Sequence, residues 1–226
     1  MRKIVLVLSL LLILAPASFG TSISFDINYV FDTGPDPNAP GPWARATFDD
    51  GGSAGTVTLT MEVFDLGTDA FISEWYFNFN TAIFGTPPVP SYVSGQAATS
   101  PVTVGIDNQK ADGDGYYDIK FLFPQQTGRL SEGDTSVYLF TKAGIEATDF
   151  DFFSSPGGGN GTWPTAVHIQ SILVLDEEGN PQLNEEGDPI NVSSWASDGG
   201  EIPEPTSMAL VTAGIVALAA KRKRIL

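Results

Sequence analysis

The sequence predicts an all-β protein: an antiparallel β-sandwich of jelly-roll type, with an N-terminal signal peptide and a single C-terminal transmembrane helix. Three observations carry this reading. Apolar and polar residues alternate with period two in segment after segment, which is the mark of a half-buried strand. Gly and Pro punctuate these segments at short intervals, and 24 Gly and 16 Pro stand among 226 residues. The aromatic content is that of a β core, with 15 Phe and 4 Trp, and no stretch before the C-terminal tail keeps a 3.6-residue period.

Residues 1–20 open with the charged pair Arg2-Lys3, continue through the apolar run Ile4–Leu14, and end in the small residues of Ala15-Pro16-Ala17 and Ser18-Phe19-Gly20. That is the build of a secretory signal peptide, cut by signal peptidase after Ala17 or after Gly20. Residues 21–200 then form one exported domain, a length that buries a real core. Its first strand is Ser22–Val30, with Ile23, Phe25, Ile27 and Tyr29 on one face. After a Pro-rich turn at Thr33–Pro42 comes Gly55–Asp65, where Val57, Leu59, Met61 and Val63 alternate with Thr56, Thr58, Thr60 and Glu62. Thr and Val are β-branched and favour strands. Ser73–Thr81 places Trp75, Phe77 and Phe79 together on a core face. Further strands are expected at Val102–Ile106, Tyr116–Phe123, Ser136–Phe140, Asp149–Ser154 and Ala166–Leu175. Ser154–Thr162 reads as a flexible surface loop by composition. Asp176–Asn191 holds Glu-Glu-Gly-Asn-Pro and then Glu-Glu-Gly-Asp-Pro, and is expected as an acidic hairpin or loop excursion near the membrane end.

Charge narrows the function classes. The chain has 27 Asp and Glu against 11 Lys and Arg, and all the acids lie between Asp26 and Glu204. Two basic residues fall in the signal peptide and four in the tail. That leaves Arg45, Lys110, Lys120, Arg129 and Lys142, so the exported region carries 27 acids against five bases, a charge of −22. Such a surface repels phosphate backbones and anionic lipid, which excludes nucleic acid as a partner. With no cysteine there is neither a disulfide scaffold nor thiol chemistry.

Three chemistries have candidate residues. Asp112, Asp114 and Asp118 form an Asp-x-Asp-Gly-x-x-Asp run that resembles part of a calcium loop. On an EF-type loop, however, the positions of the first ligand and of the bidentate Glu would fall on Lys110 and Phe121. An acidic, Gly-rich turn leading into a strand is the expected reading of the run, and apart from this calcium option no cofactor is expected. His168 is the only histidine, so any Ser-His-Asp arrangement must use it. It lies mid-strand between Val167 and Ile169, and a structural histidine is the expected role. A lone imidazole also argues against a multi-histidine zinc site. Extracellular polysaccharide is a possible partner through stacking on Trp43 and Trp163, which lie beside Pro/Gly loops, whereas Trp75 alternates into the core. Glycoside hydrolysis would need two spaced carboxylates, which sequence cannot select from 27. The expectation is a non-enzymatic, structural or adhesive protein.

Residues 201–226 set the organisation of the whole. Pro203-Glu204-Pro205-Thr206-Ser207 is followed by the uncharged run Met208–Ala220 and by Lys221-Arg222-Lys223-Arg224. The two prolines keep Glu204 in an extended, exposed tripeptide. As a helix the thirteen residues of Met208–Ala220 would run about 20 Å, which spans a bilayer of roughly 30 Å only with flanking residues and local thinning. The basic cluster stays cytoplasmic and leaves the domain outside. These three parts resemble the PEP-CTERM sorting signal. The resemblance implies that an exosortase, a membrane transpeptidase-like protease, recognises Pro203, Glu204 and Pro205, cuts near them and passes the protein to the cell envelope or extracellular matrix. The domain also resembles a recurrent exported PEP-CTERM domain in Asp112–Pro124, Ala166–Gln170 and Ser193-Ser194-Trp195, a resemblance that brings no enzymatic activity with it.

Overall fold

The structure, a computed structural model, describes residues 20–99, 101–112, 114–157 and 161–199. The signal peptide, the sorting motif Pro203-Glu204-Pro205, the apolar run and the basic cluster lie outside the described residues. Among the described residues no helix is long and apolar enough to cross a membrane.

The strands are β1 (Ser22–Val30), β2 (Ala44–Asp49), β3 (Thr56–Val63), β4 (Phe71–Phe77), β5 (Ser91–Gly95), β6 (Thr103–Lys110), β7 (Tyr116–Leu122), β8 (Leu130–Ser131), β9 (Thr135–Thr141), β10 (Thr165–Leu173) and β11 (Asn191–Asp198). A one-turn helix α1 (Thr81–Phe84) and a 3-10 turn (Ala147–Phe150) complete the described elements. Every pairing is antiparallel, and the strands join in one sheet in the order β5-β9-β3-β2-β1-β11-β10-β4-β7-β6, with β8 beside β4. The expected two separate sheets are therefore two wings of one sheet, curled into a half-barrel. The continuity runs through β11, a Ser- and Asn-rich strand that hydropathy alternation does not announce.

The wings close on a shared core. Phe121 of β7 and Tyr138 of β9, near opposite edges of the sheet, meet with ring centroids 4.8 Å apart. Phe48 of β2 touches Phe77 of β4 at 5.1 Å and stacks on Phe150 of the 3-10 turn at 4.3 Å. Each such side chain contributes roughly 1.5–3 kcal/mol by leaving water. The alternation read in β3 is realised in full, with Val57, Leu59, Met61 and Val63 buried. In β1 it holds only to Ile27. A register shift between Ile27 and Tyr29 turns both Tyr29 and Phe31 to the outer face, where Tyr29 stays exposed and Phe31 is covered, because one extra residue in a strand reverses every side chain beyond it.

A second, smaller cluster covers the outer face of the sheet's centre. Phe31, Tyr76, Ala111, Tyr117, Trp163, Ala166 and Trp195 are buried there, so β4 is buried on both faces. Tyr76, which alternates with Trp75 and Phe77 along β4, belongs to this layer. The strand expected at Asp149–Ser154 is not formed. Glu146 and Asp149 cap one another reciprocally, and this winds Ala147–Phe150 into a 3-10 turn before an extended segment bridges Ser155 to Tyr116. The acidic excursion is also displaced from its expected place. It leaves the end of β10 and returns at the start of β11, the opposite end of the sheet from Asp198, where the chain departs toward the sorting motif. Its duplicated sequence folds as a duplicated turn. Asp176 Oδ1 accepts from the Glu178 and Asn180 amides, and Asn184 Oδ1 accepts from the Glu186 and Asp188 amides.

Candidate functional site

The candidate calcium ligands do not gather. Asp112 is exposed and lies in the turn between β6 and β7. Asp114 is fully buried, and its Oδ2 accepts from the hydroxyls of Tyr117 and Ser154. Asp118 is buried on β7 and accepts from two backbone amides, Phe79 N–H on Oδ2 and Asp107 N–H on Oδ1, each at 2.9 Å. Burial pushes both of these carboxyls up, and their hydrogen bonds oppose it. Among the described residues no three His, Cys, Asp or Glu side chains are placed to share a metal. The run is an acidic turn whose carboxylates pin loops to strands. Asp114 Oδ1 and Trp163 Nε1 are the buried side-chain atoms without a partner among the described residues. Trp163 N–H donates to Ser154 Oγ, which in turn donates to Asp114 Oδ2, so one hydroxyl links the two residues.

The tryptophans proposed to stack sugars face inward. Trp43 and Trp163 are each 4% exposed. Trp43 packs in the main core and donates from Nε1 to the Ala39 carbonyl at 2.8 Å. Trp163 stacks on Phe31 at 5.6 Å and lies under Tyr29 at 5.1 Å. Flanking Gly and Pro reveal a loop but not which way its side chains turn, and here both indoles fill the protein rather than present a face to a glycan. Trp75 is fully buried, as its alternation implies.

His168 is half-buried on the outer face of β10, across from Glu74 on β4 and Trp195 on β11. Its ring stacks on Trp195 at 4.6 Å with planes 10° apart. Nδ1 lies 3.1 Å from Ser73 Oγ, and that hydroxyl also donates to the His168 carbonyl at 3.2 Å. A serine and a histidine within hydrogen-bonding distance have the spacing of a nucleophile and its base. Ser73 is fully buried, however, and faces no substrate. Glu74 next to it pairs with Lys120 at 2.9 Å and accepts from the Tyr76 hydroxyl. The group is a rung of structural contacts across β11, β10, β4 and β7. The sequence placed His168 mid-strand, but its cross-strand partners depend on register.

The outer face of β2 and β3 carries an open groove of about 560 Å³, lined by Thr47, Asp49, Gly51, Ser53, Thr56, Thr58, Thr60 and Glu62. At its upper end Asp50 accepts from the Thr21 amide at 2.8 Å, the Gly52 amide at 2.9 Å and the Ala147 amide at 3.4 Å. These bonds, that of Thr21 foremost, hold its carboxyl below the usual range.

The remaining candidate is the chain's exit. β11 ends at Asp198 in the middle of the sheet, between β1 and β10, and Gly199 N–H donates to Asn28 Oδ1 at 2.9 Å. Pro203 follows four residues later. The folded domain and the sorting tail therefore share almost no linker. No curated protein and no solved structure matches the chain. Residues 201–224 match the model of the PEP-CTERM protein-sorting motif, and the chain thus carries at its C-terminus the signal of an exported protein sorted by an exosortase.

Proposed function

We propose that this protein is delivered to the cell surface or extracellular matrix as a structural or adhesive β-domain. On this reading residues 1–20 direct export and are removed by signal peptidase. Residues 201–226 hold the chain in the membrane through Met208–Ala220 until an exosortase cuts near Pro203-Glu204-Pro205. The match of residues 201–224 to the sorting motif carries the proposal. The charge of the domain agrees with it, since its acids and the basic cluster at Lys221–Arg224 would stand on opposite sides of the membrane. Polysaccharide binding loses its two indoles to the interior and keeps only the hydroxyl- and carboxylate-lined groove over β2 and β3.

Sorting is tested in a host that carries the processing enzyme, with Pro203, Glu204 and Pro205 all replaced by Ala. Full-length protein should accumulate in the membrane, and deleting the enzyme should give the same result. Release of the triple-Ala protein at the normal rate would reduce the tail to a plain anchor.

A further inference from the structure

The end of the sheet from which the chain departs bears a group of solvent-facing aromatic rings. Tyr29 is 48% exposed, Tyr116 36%, Phe152 40% and Phe153 50%. They sit on segments bonded to one another. Tyr29 pairs with Ser197 of β11 and packs over Trp163. Trp163 exchanges hydrogen bonds with Ser154, the residue after Phe153. Ser155 pairs with Tyr116, and the Phe152 carbonyl is held by Asn78. Gly199 lies against this group, since a Cβ there would come within 3.0 Å of the Tyr29 side chain. Lys110 Nζ lies 5.6 Å from the centroid of the Tyr116 ring, and exposed apolar rings gathered at one end of a molecule mark a contact surface.

What lies opposite them follows from the chain. Eight residues, 200–207, separate Gly199 from the apolar run beginning at Met208. Fully extended they reach at most about 29 Å, and two of them are prolines. We propose that Tyr29, Tyr116, Phe152 and Phe153 dip into the interfacial layer of a zwitterionic bilayer, seating the domain with its exit end down while the tail is uncut. This rests on the reading of Met208–Ala220 as a membrane anchor. Tyr rings sit at the headgroup level of membranes with an apolar body and a wet hydroxyl, and Phe rings enter the apolar boundary just below it. The acids flanking the rings, Asp151 and Asp198 among them, disfavour an anionic surface, which is why the lipid is neutral. The other solvent-facing apolar side chains lack this relation to the tail. Tyr92 and Val93, for example, lie on the edge strand β5. The consequence for sorting is geometric. A seated domain fixes the height and rotation of Pro203-Glu204-Pro205 at the membrane surface, and it leaves the membrane only when the tail is cut and the rings are pulled out.

The chain contains no cysteine, so one introduced thiol reports alone. The full-length protein is reconstituted in phosphatidylcholine vesicles with a fluorophore at Asp151→Cys, beside Phe152, or at Glu132→Cys, which lines a surface with Leu173 at the opposite end of the sheet. Lipids spin-labelled near the headgroup should quench the label at 151 and leave the label at 132 unaffected. In the Phe152→Ser/Phe153→Ser background the quenching at 151 should be lost while the protein still floats with the vesicles. Flotation without quenching at 151, or quenching that survives the double substitution, overturns the seating and leaves the anchor standing. Failure of the unsubstituted chain to float overturns the anchor itself, and the seating with it.

Discussion

Burial and charge pull the His168 imidazole in opposite directions. Loss of water between β4 and β11 lowers its proton affinity, Glu74, Asp32 and Asp112 raise it, and Lys120 lowers it further. Burial wins, so the folded-state value lies below the ordinary 6.5. The sign of the stability effect follows. Above 6.5 the ring is neutral whether the chain is folded or not. As the pH falls through 6.5 the unfolded chain takes up a proton that the folded one refuses, and stability declines until the folded-state value is passed. Urea unfolding between about pH 7 and pH 5, the range in which an ordinary histidine titrates, should therefore show a midpoint that drops on acidification. His168→Gln should remove that component of the drop, and an unchanged slope in the variant would mean that the ring is not desolvated. Much at this scale was legible in the sequence. The lone histidine's strand and the core role of Trp75 were written in local alternation. The inward turn of Trp43 and Trp163 was not, because loop composition constrains backbone and leaves side-chain direction to tertiary packing. Ser73 was missed as the neighbour of His168 because 95 positions separate them.

Asp118 shows how a single side chain acts on whole elements. From β7 it reaches the amide after the end of β4, at Phe79, and the amide of Asp107 in the irregular part of β6. Asp107 holds φ at 48°, a left-handed conformation rarely taken outside glycine, where the register of β6 shifts against β7. The carboxylate thus fastens the edge strand's bulge to the core. Asp118→Ala would strand the buried Phe79 N–H and leave that of the exposed Asp107 to water, and should lower the free energy of unfolding by about 1–3 kcal/mol in urea titrations. Asp118→Asn, which keeps one acceptor, should lose less. A change within 0.5 kcal/mol of zero, the usual scatter for surface substitutions, would show that the bonds do not form. Strands with unbroken alternation, β3 above all, could be read from sequence nearly to the residue. β2 and β11 could not, since Ala-Arg-Ala-Thr-Phe-Asp and Asn-Val-Ser-Ser-Trp-Ala-Ser-Asp carry small residues where packing is tight. The segment at 149–154 misled because Asp149-Phe150-Asp151-Phe152 alternates as a strand would, whereas a capping pair from Glu146 and Asp149 decided its local structure.

At the scale of the molecule, the proposed anchoring makes the opposed charges of domain and tail set the topology. With the exported region at 27 acids to five bases and four basic residues closing the chain, protease added to intact spheroplasts should remove the domain from the cell-bound fraction. A protected domain would invert the orientation proposed here. The position of β11 has a further effect, on timing. It is the last of the described strands in the chain, yet it occupies the centre of the sheet, where the strand order passes from the wing β5-β9-β3-β2-β1 to the wing β10-β4-β7-β6. The Gly199–Asn28 bond closes across 171 positions, and contacts of such separation form late. On the proposed export from the N-terminus the chain would therefore cross with its two wings unjoined, in the loose state that a narrow channel requires. By that proposed route the joining strand would emerge only as the tail enters the channel behind it, so that completion of the fold would coincide with arrival of the sorting motif at the membrane.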